Sequence, residues 1–288
     1  MPQSPLLAFT SNFLDRHANG RINESWLQEL TTSGGARHLR VAGDKFFLQG
    51  GKLQTFDTPH PSENVLLGID NTGAGWFASR ADEVPGLMDL RSLAVEGTLP
   101  PEQLGLLAQA RSLLHWHERH GHCANCGART EMRDAGYRRH CAACGTDHFP
   151  RTDPVVIIAV HRGGKLLLGR QATWPEGMYS TLAGFMEPGE TIEDAARREV
   201  FEEAHIRVGA ISFHSNQPWP FPASLMIGLI GEALTDDIIV DTKELETARW
   251  FEKTEIQSML EGTHPQGLKA PLPMAIAHHL IRAAISAR

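Results

Sequence analysis

The 288-residue chain has few cysteines, no long apolar run and no excess of positive charge. No segment approaches the roughly 18 consecutive apolar residues of a membrane-spanning helix, so an integral membrane protein is not expected. The start, MPQSPLLAFTSNF, lacks the basic segment and long apolar core of a secretory signal, and the end, ISAR, is not a peroxisomal address. We therefore expect a cytoplasmic protein.

The charge balance of 27 basic against 34 acidic residues gives a net charge of −7. This excludes a broad electrostatic surface for nucleic acid, although a local basic patch stays possible. No internal repeat and no low-complexity tract is present, which excludes a repeat array. With 41% hydrophobic and 21% charged residues, the chain has the composition of a globular protein with about two domains.

Residues 1–118 are predicted to form a small mixed α/β domain. Short β-like runs alternate with glycine-rich turns in HLRVAG, KFFLQGGKLQTFD and NVLLGIDNTGAGWFASR. The stretch PEQLGLLAQARSLLHWHERHG follows and predicts a helix that ends near Gly121. Its apolar residues recur at the spacing of one helix face, at Leu104, Leu107, Ala108 and Leu114.

Residues 119–150 contain all the cysteines of the chain, in the motifs CANC and CAAC. Fourteen residues separate the pairs, a spacing that lets four thiolates converge on zinc: Cys123, Cys126, Cys141 and Cys144. Four thiolates leave no open coordination position, so the predicted zinc is structural. Two disulfide bonds are the alternative, which an oxidising compartment would favour. Nearby histidines could also replace a thiolate, namely His115, His117, His120, His122, His140 and His148.

Residues 151–288 are predicted to form a further domain with both helices and strands. Residues 155–161 and 165–168 have strand composition and are joined by RGG, which is typical of a hairpin. The runs SLMIGLIG and ETARWF also predict strands, and PMAIAHHLIRAAISA predicts a closing helix. The expected fold class of the chain is α+β.

The stretch TIEDAARREVFEEA has the pattern of a helix whose inner face becomes acidic. Thr191 and Asp194 are typical of a capping box at its start. The apolar stripe is formed by Ile192, Ala195, Ala196 and Val200. At 3.6 residues per turn, Glu199 and Glu203 fall within this stripe and Glu202 lies at its edge. A divalent cation would compensate these inward charges, and an ordinary solvated acidic face is the alternative.

Extended upstream, the same stretch is GFMEPGETIEDAARREVFEEAHI, which resembles the Nudix box. The box has five residues between its glycine and glutamate, then seven, then Arg-Glu-apolar-any-Glu-Glu-any-Gly-apolar. Its positions are occupied by Gly184, Glu190, Arg198, Glu199, Val200, Glu202, Glu203 and Ile206. His205 stands where the box has glycine, a residue that would end the helix in the left-handed conformation.

The element NQPWPFPAS, residues 216–224, resembles the SQPWPFP sequence of the NADH pyrophosphatase branch of the Nudix family, with asparagine in place of serine. Its alternating prolines predict a stiff, extended segment with Trp219 and Phe221 on the same side. Such an aromatic surface suits planar heterocycles, and core packing is the alternative. A zinc ribbon before the box is also typical of this branch.

The resemblance implies the residues of a metal-dependent site. The ligands of Mg²⁺ or Mn²⁺ would be Glu199, Glu202, Glu203, Glu244 and the backbone carbonyl of Ala183. Arg198 would orient the carboxylate of Glu190. Phe149, at a position where tyrosine is usual, and Phe185 would flank the nicotinamide. Other substrate contacts would come from Gln217, Pro218, Trp219, Pro220, Phe221, Pro222, Ala223, Ser224 and Ala277.

The resemblance also implies a fold, a reaction and an assembly. The fold is a Nudix fold, a mixed β-sheet between helices, and the assembly is a homodimer. The reaction is hydrolysis of the pyrophosphate of NADH or NAD⁺ to nicotinamide mononucleotide and AMP, with metal ions that neutralise the phosphates and activate water. The NAD cap of RNA is a related substrate. A non-catalytic nucleotide sensor or a nucleic-acid-binding zinc ribbon is the alternative class.

Overall fold

The computed structural model describes residues 7–286, which form two compact units. The amino-terminal unit contains Ala8–Thr152 and the short segment Trp219–Ala223. The carboxy-terminal unit contains Asp153–Pro218 and the residues from Ser224 onwards, with Leu7. None of the helices in the described chain has the length and apolar character that crossing a membrane requires. The division into three domains stays a prediction.

The amino-terminal unit is built from short strands and three helices. Its strands are β1 (Arg37–Ala42), β2 (Lys45–Phe46), β3 (Leu48–Gln49), β4 (Lys52–Leu53), β5 (Asn64–Ile69), β6 (Gly75–Arg80), β7 (Met88–Asp89), β8 (Glu131–Arg133), β9 (Arg138–His140) and β10 (Asp147–His148). Its helices are α1 (Glu24–Thr32), α2 (Leu90–Glu96) and α3 (Pro101–Arg119), and 3₁₀ turns occupy Ala18–Gly20 and Asp134–Gly136. The helix predicted before the cysteines is α3.

The strands of the amino-terminal unit form three sheets. The largest has the order β5-β6-β1-β2-β7, and its core contains the fully buried Leu66 and Phe77. Trp26, Leu27 and Leu30 of α1 pack against this core. A three-stranded sheet, β10-β9-β8, lies in the cysteine-containing region, and β3 pairs with β4.

The carboxy-terminal unit is a mixed sheet with helices on both faces. Its strands are β11 (Asp153–Arg162), β12 (Lys165–Arg170), β13 (Leu182–Phe185), β14 (Val208–Trp219), β15 (Ser224–Ala233) and β16 (Thr247–Glu252). Its helices are α4 (Ile192–Ala204), α5 (Lys253–Glu261) and α6 (Ile276–Ser286). The strand order is β14-β15-β11-β12-β16, and β13 pairs with β11.

Strand β11 shows why the sheet needs cover on both faces. Val156, Ile158 and Val160 belong to the apolar cluster that includes α4, whereas Ile157 and Ala159 belong to the cluster that includes α6. A parallel pairing with β15 runs along its length, and strands buried on both faces have continuous apolar sequences of this kind. The predicted hairpin of β11 and β12, the strands β15 and β16, and the closing helix are all confirmed.

Candidate active site

Helix α4 begins and ends as its sequence predicts. The side chain of Thr191 accepts a hydrogen bond from the backbone N–H of Asp194 at 3.1 Å. At the other end, His205 has the left-handed conformation, φ 61° and ψ 20°, and donates its N–H to the carbonyl of Phe201 at 2.8 Å. The His205 and Phe201 rings lie 4.3 Å apart, a contact that stabilises a turn in which glycine would have less strain.

The acidic residues of α4 divide between the interior and the solvent. Glu199 is 8% exposed and Glu203 is 3% exposed, and both lie on the face that buries Ala196 and Val200. The side chain of Glu202 is 53% exposed. The predicted inward stripe is therefore confirmed, and the alternative of an ordinary solvated acidic face does not apply to Glu199 and Glu203.

Gly184 brings β13 and α4 close together. A Cβ atom at this position would lie 1.9 Å from the carboxyl carbon of Glu199, which is far inside van der Waals contact. A side chain at position 184 would therefore displace the Glu199 carboxylate from its place above β13. The close contact explains why glycine occupies the first position of the GFMEPGE sequence. It also means that the Glu199 side chain packs against β13, the strand that contains Ala183.

Arg198 connects the acidic helix to the loop before it. Its guanidinium binds Glu190 with two bonds, from Nε at 2.6 Å and from Nη2 at 2.8 Å. Nη1 donates to Glu199 at 2.8 Å and to Glu202 at 3.0 Å, and Nη2 also donates to the carbonyl of Phe185 at 2.9 Å. The bonds from Arg198 hold the pKa of Glu190 at about 2, so that Glu190 is a carboxylate at neutral pH.

These residues border a cleft of about 560 Å³ within the carboxy-terminal unit. Its lining is formed by Gln171, Ala172, Thr173, Ala183, Gly184, Phe185, Glu187, Arg198, Glu199, Glu203, Lys243 and Glu244. The structure thus brings together Glu199, Glu203, Glu244 and Ala183 of the predicted metal ligands. The exposed Glu202 is not among the lining residues, although Arg198 bonds to it.

The charges in this cleft favour a bound cation. Burial, together with the neighbouring carboxylates of Glu199 and Glu244, raises the pKa of Glu203 to about 8, against the opposing effect of a backbone hydrogen bond from Ala183. Burial also raises the pKa of Glu199, although Arg198 opposes this effect. The buried Oε2 atom of Glu203 has no hydrogen-bond partner among the described residues. Oxygen-rich carboxylate sites of this type fit Mg²⁺ or Mn²⁺.

A tight turn at 241–245 presents Glu244 to the cleft. The N–H of Asp241 donates to the carbonyl of Glu203 at 3.1 Å, and the N–H of Leu245 donates to the carbonyl of Asp241 at 3.0 Å. Leu245 is buried in the cluster that contains α4. The turn is therefore attached to the acidic helix at one end and to the core at the other. It also places Lys243, which sequence reasoning missed, among the residues that line the cleft.

The four cysteines form a second site, in the amino-terminal unit. Their Sγ atoms all lie within 4.8 Å of one another, and Cys123 and Cys144 are 3.6 Å apart. These distances fit four thiolates around one zinc ion and are too long for the roughly 2.05 Å bond of a disulfide. Each motif forms the same turn, in which the N–H of Gly127 bonds to the carbonyl of Cys123 at 2.9 Å and that of Gly145 to Cys141 at 2.8 Å.

Comparison with known proteins matches the regions that contain both sites. The family models that match are the NUDIX domain at residues 150–272, the NADH pyrophosphatase zinc ribbon domain at 118–149 and the NADH pyrophosphatase-like rudimentary NUDIX domain at 29–116. The protein named NAD-capped RNA hydrolase NudC from Stutzerimonas stutzeri is 35% identical, over 82% of this chain and 82% of its own. This chain belongs to the NADH pyrophosphatase branch of the Nudix family.

Two further relatives extend this comparison. The mitochondrial protein of Mus musculus named NAD(P)H pyrophosphatase NUDT13 is 33% identical, over 91% of this chain and 83% of its own. The protein of Homo sapiens named NAD-capped RNA hydrolase NUDT12 is 41% identical, over 78% of this chain and 52% of its own. The present Nudix chain thus spans about half the length of NUDT12. As a member of the family it has a structural zinc ribbon, and Nudix hydrolases use Mg²⁺ or Mn²⁺.

The proline-aromatic element of this Nudix protein is extended as far as Trp219, as its prolines predict, but residues 220–223 form a turn. Strand β14 continues to Trp219, and a turn of four residues then leads into β15. Trp219 and Phe221 lie on the same side as predicted, with ring centroids 5.4 Å apart. Arg111 of α3 donates to the carbonyl of Pro220, and Ser112 donates to that of Pro222 at 3.3 Å. These bonds to the carbonyls account for the bend.

The other residues predicted to contact substrate have different environments. Gln217 is completely buried: its Nε2 donates to the carbonyl of Met274 at 2.8 Å, and its Oε1 accepts from the N–H of Ile276 at 2.8 Å. Ala277 is buried in α6. Phe185 is 60% exposed at the cleft, and Phe149 is 64% exposed in the amino-terminal unit. Of the remaining residues, Pro218 and Pro222 are exposed, Pro220 is buried, and Ala223 and Ser224 are half-buried.

We expect Cys126→Ser to lower zinc content and melting temperature together, the latter by about 5–10 °C, because a hard hydroxyl replaces a thiolate in a ribbon that the metal holds together. The measurements are metal analysis and a melting curve. Ala143→Ser, an exposed change in the second cysteine motif, is the control that should alter neither. A zinc-free Cys126→Ser protein with an unchanged melting temperature would contradict the structural role.

Proposed function

We propose that this chain is a Mg²⁺- or Mn²⁺-dependent hydrolase that splits NADH and NAD⁺ at the pyrophosphate into nicotinamide mononucleotide and AMP. The observation that carries the proposal is the convergence of two buried carboxylates, Glu199 and Glu203, with Glu244 on one cleft. Glu203 in addition has a buried oxygen without a partner among the described residues. Such an arrangement is costly unless a cation neutralises it.

The metal ligands in this proposal are Glu199, Glu202, Glu203, Glu244 and the carbonyl of Ala183. A bound cation would neutralise the phosphate oxygens and lower the pKa of a water molecule. Arg198 holds Glu199 and Glu190 in place through its bonds to both. Water attacks one phosphorus, its proton passes to a carboxylate of the cleft, and the bond from that phosphorus to the bridging oxygen breaks. The two mononucleotides then leave.

The dinucleotide would be recognised by the aromatic and proline-rich residues. Phe185, which is exposed at the cleft, offers one face to a planar ring. Phe149, the segment 217–224 and Ala277 stay predicted substrate contacts. Gln217 would act from within the fold, because its side-chain amide joins the end of β14 to the start of α6. Its contribution is to hold the segment in place.

The NAD cap at the 5′ end of RNA is a second candidate substrate. Two of the relatives are named NAD-capped RNA hydrolases, and the capped end presents the same dinucleotide to a cleft of this size. The net charge of −7 does not favour a large RNA footprint, but a cap requires only its terminal nucleotide to be bound. A homodimer and a cytoplasmic location stay predictions.

Product analysis with purified protein tests the proposal. NADH, NAD⁺ and NAD-capped RNA are incubated separately with Mn²⁺ or Mg²⁺ under one condition, and released mononucleotides are quantified. Release of AMP from the free dinucleotides, or of nicotinamide mononucleotide from the cap, supports a hydrolase and ranks its substrates. Tight binding of a dinucleotide without any release would favour the non-catalytic sensor, and loss of activity on metal chelation is expected of the hydrolase.

Replacing Phe185 with alanine should raise the KM for NADH about 10-fold, because stacking of a base on an aromatic ring contributes roughly 1–3 kcal/mol. ADP-ribose has the diphosphate without the nicotinamide, so its KM should change much less. Phe213 is equally exposed, at 60%, and lies on β14 outside the cleft lining, which makes Phe213→Ala the matched control. Equal losses on both substrates would indicate a damaged fold.

A further inference from the structure

We propose that the ammonium group of Lys243 binds a phosphate oxygen of the substrate in the cleft, a role that rests on the proposed function and that the box motif does not contain. Two cationic residues line the cleft, Arg198 and Lys243. A diphosphate brings negative charge to a site that already has the carboxylates of Glu199, Glu203 and Glu244. Cationic donors that meet the phosphates are therefore needed beside the metal.

Arg198 cannot supply this contact, because all its donors are in use. A guanidinium has five N–H groups. The structure assigns them five acceptors: both oxygens of Glu190, one oxygen each of Glu199 and Glu202, and the carbonyl of Phe185. A phosphate could bind Arg198 only by displacing one of these bonds. Arg198 is thus a positioning residue for the carboxylates.

Lys243, unlike Arg198, has hydrogen-bond donors that are not in use. Its ammonium group makes no hydrogen bond or ion pair within residues 7–286, although it lines a cleft rich in carboxylates. Its backbone, in contrast, is held by a bond from its N–H to the side chain of Asp241 at 3.0 Å. The residue therefore combines a fixed main chain with three unused donors on a side chain at the cleft.

The turn that contains Lys243 is held on both sides. Asp241 and Ile239 each donate a backbone N–H to a carbonyl of the last turn of α4, at 3.1 Å to Glu203 and 3.1 Å to Ala204. Leu245 anchors the other side in the core. The position of Lys243 relative to the α4 carboxylates is set by these contacts, which makes it suited to a specific phosphate contact and not only to general attraction.

The test compares Lys243→Gln, Lys243→Arg and Lys253→Gln in the full chain. We expect Lys243→Gln to lower kcat/KM for NADH about 10-fold, with an unchanged Mn²⁺ activation midpoint and melting temperature, and Lys243→Arg to restore most of the loss. Lys253 is an exposed residue of α5 outside the cleft lining, so Lys253→Gln removes the same charge and should leave the rate unchanged. Calorimetry with α,β-methylene-ADP and Mn²⁺ should show about 10-fold weaker binding for Lys243→Gln alone.

Three results would overturn the inference. Wild-type kcat/KM and wild-type binding in Lys243→Gln would show that the ammonium makes no phosphate contact. An equal loss in Lys253→Gln would assign the effect to net charge, and a loss that excess Mn²⁺ restores would assign it to Glu244 and the metal. If the wild-type chain releases no product from any dinucleotide, the proposed function fails. The calorimetric comparison of wild type with Lys243→Gln still decides whether Lys243 binds phosphate.

Discussion

Replacing Arg198 with glutamine is expected to lower kcat/KM for NADH about 100-fold. Glutamine has two N–H donors in place of five, so it cannot hold Glu190, Glu199 and the carbonyl of Phe185 at once. Residues that orient metal ligands commonly contribute 10–100-fold to metal affinity or activity. We expect part of the loss to be a higher Mn²⁺ requirement, measured as the shift of the Mn²⁺ activation midpoint.

Further variants make this expectation specific. Arg197 is the neighbouring arginine of α4 and bonds to Asp194, Val208 and Gly209 instead of the cleft carboxylates, so Arg197→Gln should retain activity. Arg198→Lys keeps the charge but loses the planar fork that binds both oxygens of Glu190, so it should recover little. Combining Arg198→Gln with Glu190→Gln should cost less than the sum of the two single changes. Full additivity would mean that the pair does not act as one unit.

The acidic helix was the most predictable part of the fold, since its signals are local. Thr191 lies three residues before Asp194, the apolar residues have helical spacing, and His205 occupies the position of a helix-ending glycine. These features depend on neighbours within one or two turns, and so the bounds and the buried face of α4 follow from the sequence. Helices α1, α2 and α5 were missed, since each has only seven to nine residues.

The pairing of strands that are distant in sequence was harder to predict. The parallel contact of β11 with β15 joins Asp153 to Ser224, and no local pattern indicates which strands pair across such a distance. The turn at 220–223 illustrates the same limit. Its prolines predict an extended chain, but the bonds from Arg111 and Ser112 of α3, more than a hundred residues earlier, hold its carbonyls. Tertiary contacts override the local preference here.

The candidate site shows what a motif specifies and what it omits. The box predicted the contact of Arg198 with Glu190, but the bonds to Glu199 and Glu202 required coordinates. Gln217 was predicted to contact substrate because it belongs to the proline-aromatic element. In the structure its side chain is 0% exposed, and both the nitrogen and the oxygen of its amide are hydrogen-bonded. Lys243 was missed, although its position beside Glu244 was the available signal.

Replacing Glu203 with glutamine should have opposite effects on activity and on stability without metal. Glu203 is buried beside Glu199 and Glu244 and has an oxygen without a partner in the described chain. Removing this metal ligand or proton acceptor should lower kcat at saturating Mn²⁺ by roughly 10²–10⁴-fold. Glu193, in the exposed first turn of α4, offers the control Glu193→Gln, which should keep full activity.

The stability effect follows from the pKa of Glu203, which burial raises from 4.5 to about 8. Without divalent cations the folded protein holds this proton more tightly than the unfolded chain does. The contribution of Glu203 to stability is therefore greatest below pH 4.5 and falls as the pH rises to about 8, by up to about 1.4 kcal/mol per pH unit. Glutamine resembles the protonated form and has no such loss, so Glu203→Gln should be more stable than wild type at pH 7, by at least the roughly 0.5 kcal/mol of a like-charge helix pair, and its advantage should be larger at pH 9.

Melting curves in a chelator at pH 6, 7 and 9, recorded beside kcat, measure both effects. Added Mn²⁺ should raise the melting temperature of wild type more than that of Glu203→Gln, because the cation binds the folded state and compensates the carboxylates. The effects on activity and on stability then have the same cause. Glu203 carries a buried charge, which a bound cation neutralises. A variant that melts far below wild type yet retains full specific activity would show instead that Glu203 supports the fold and does not serve the reaction.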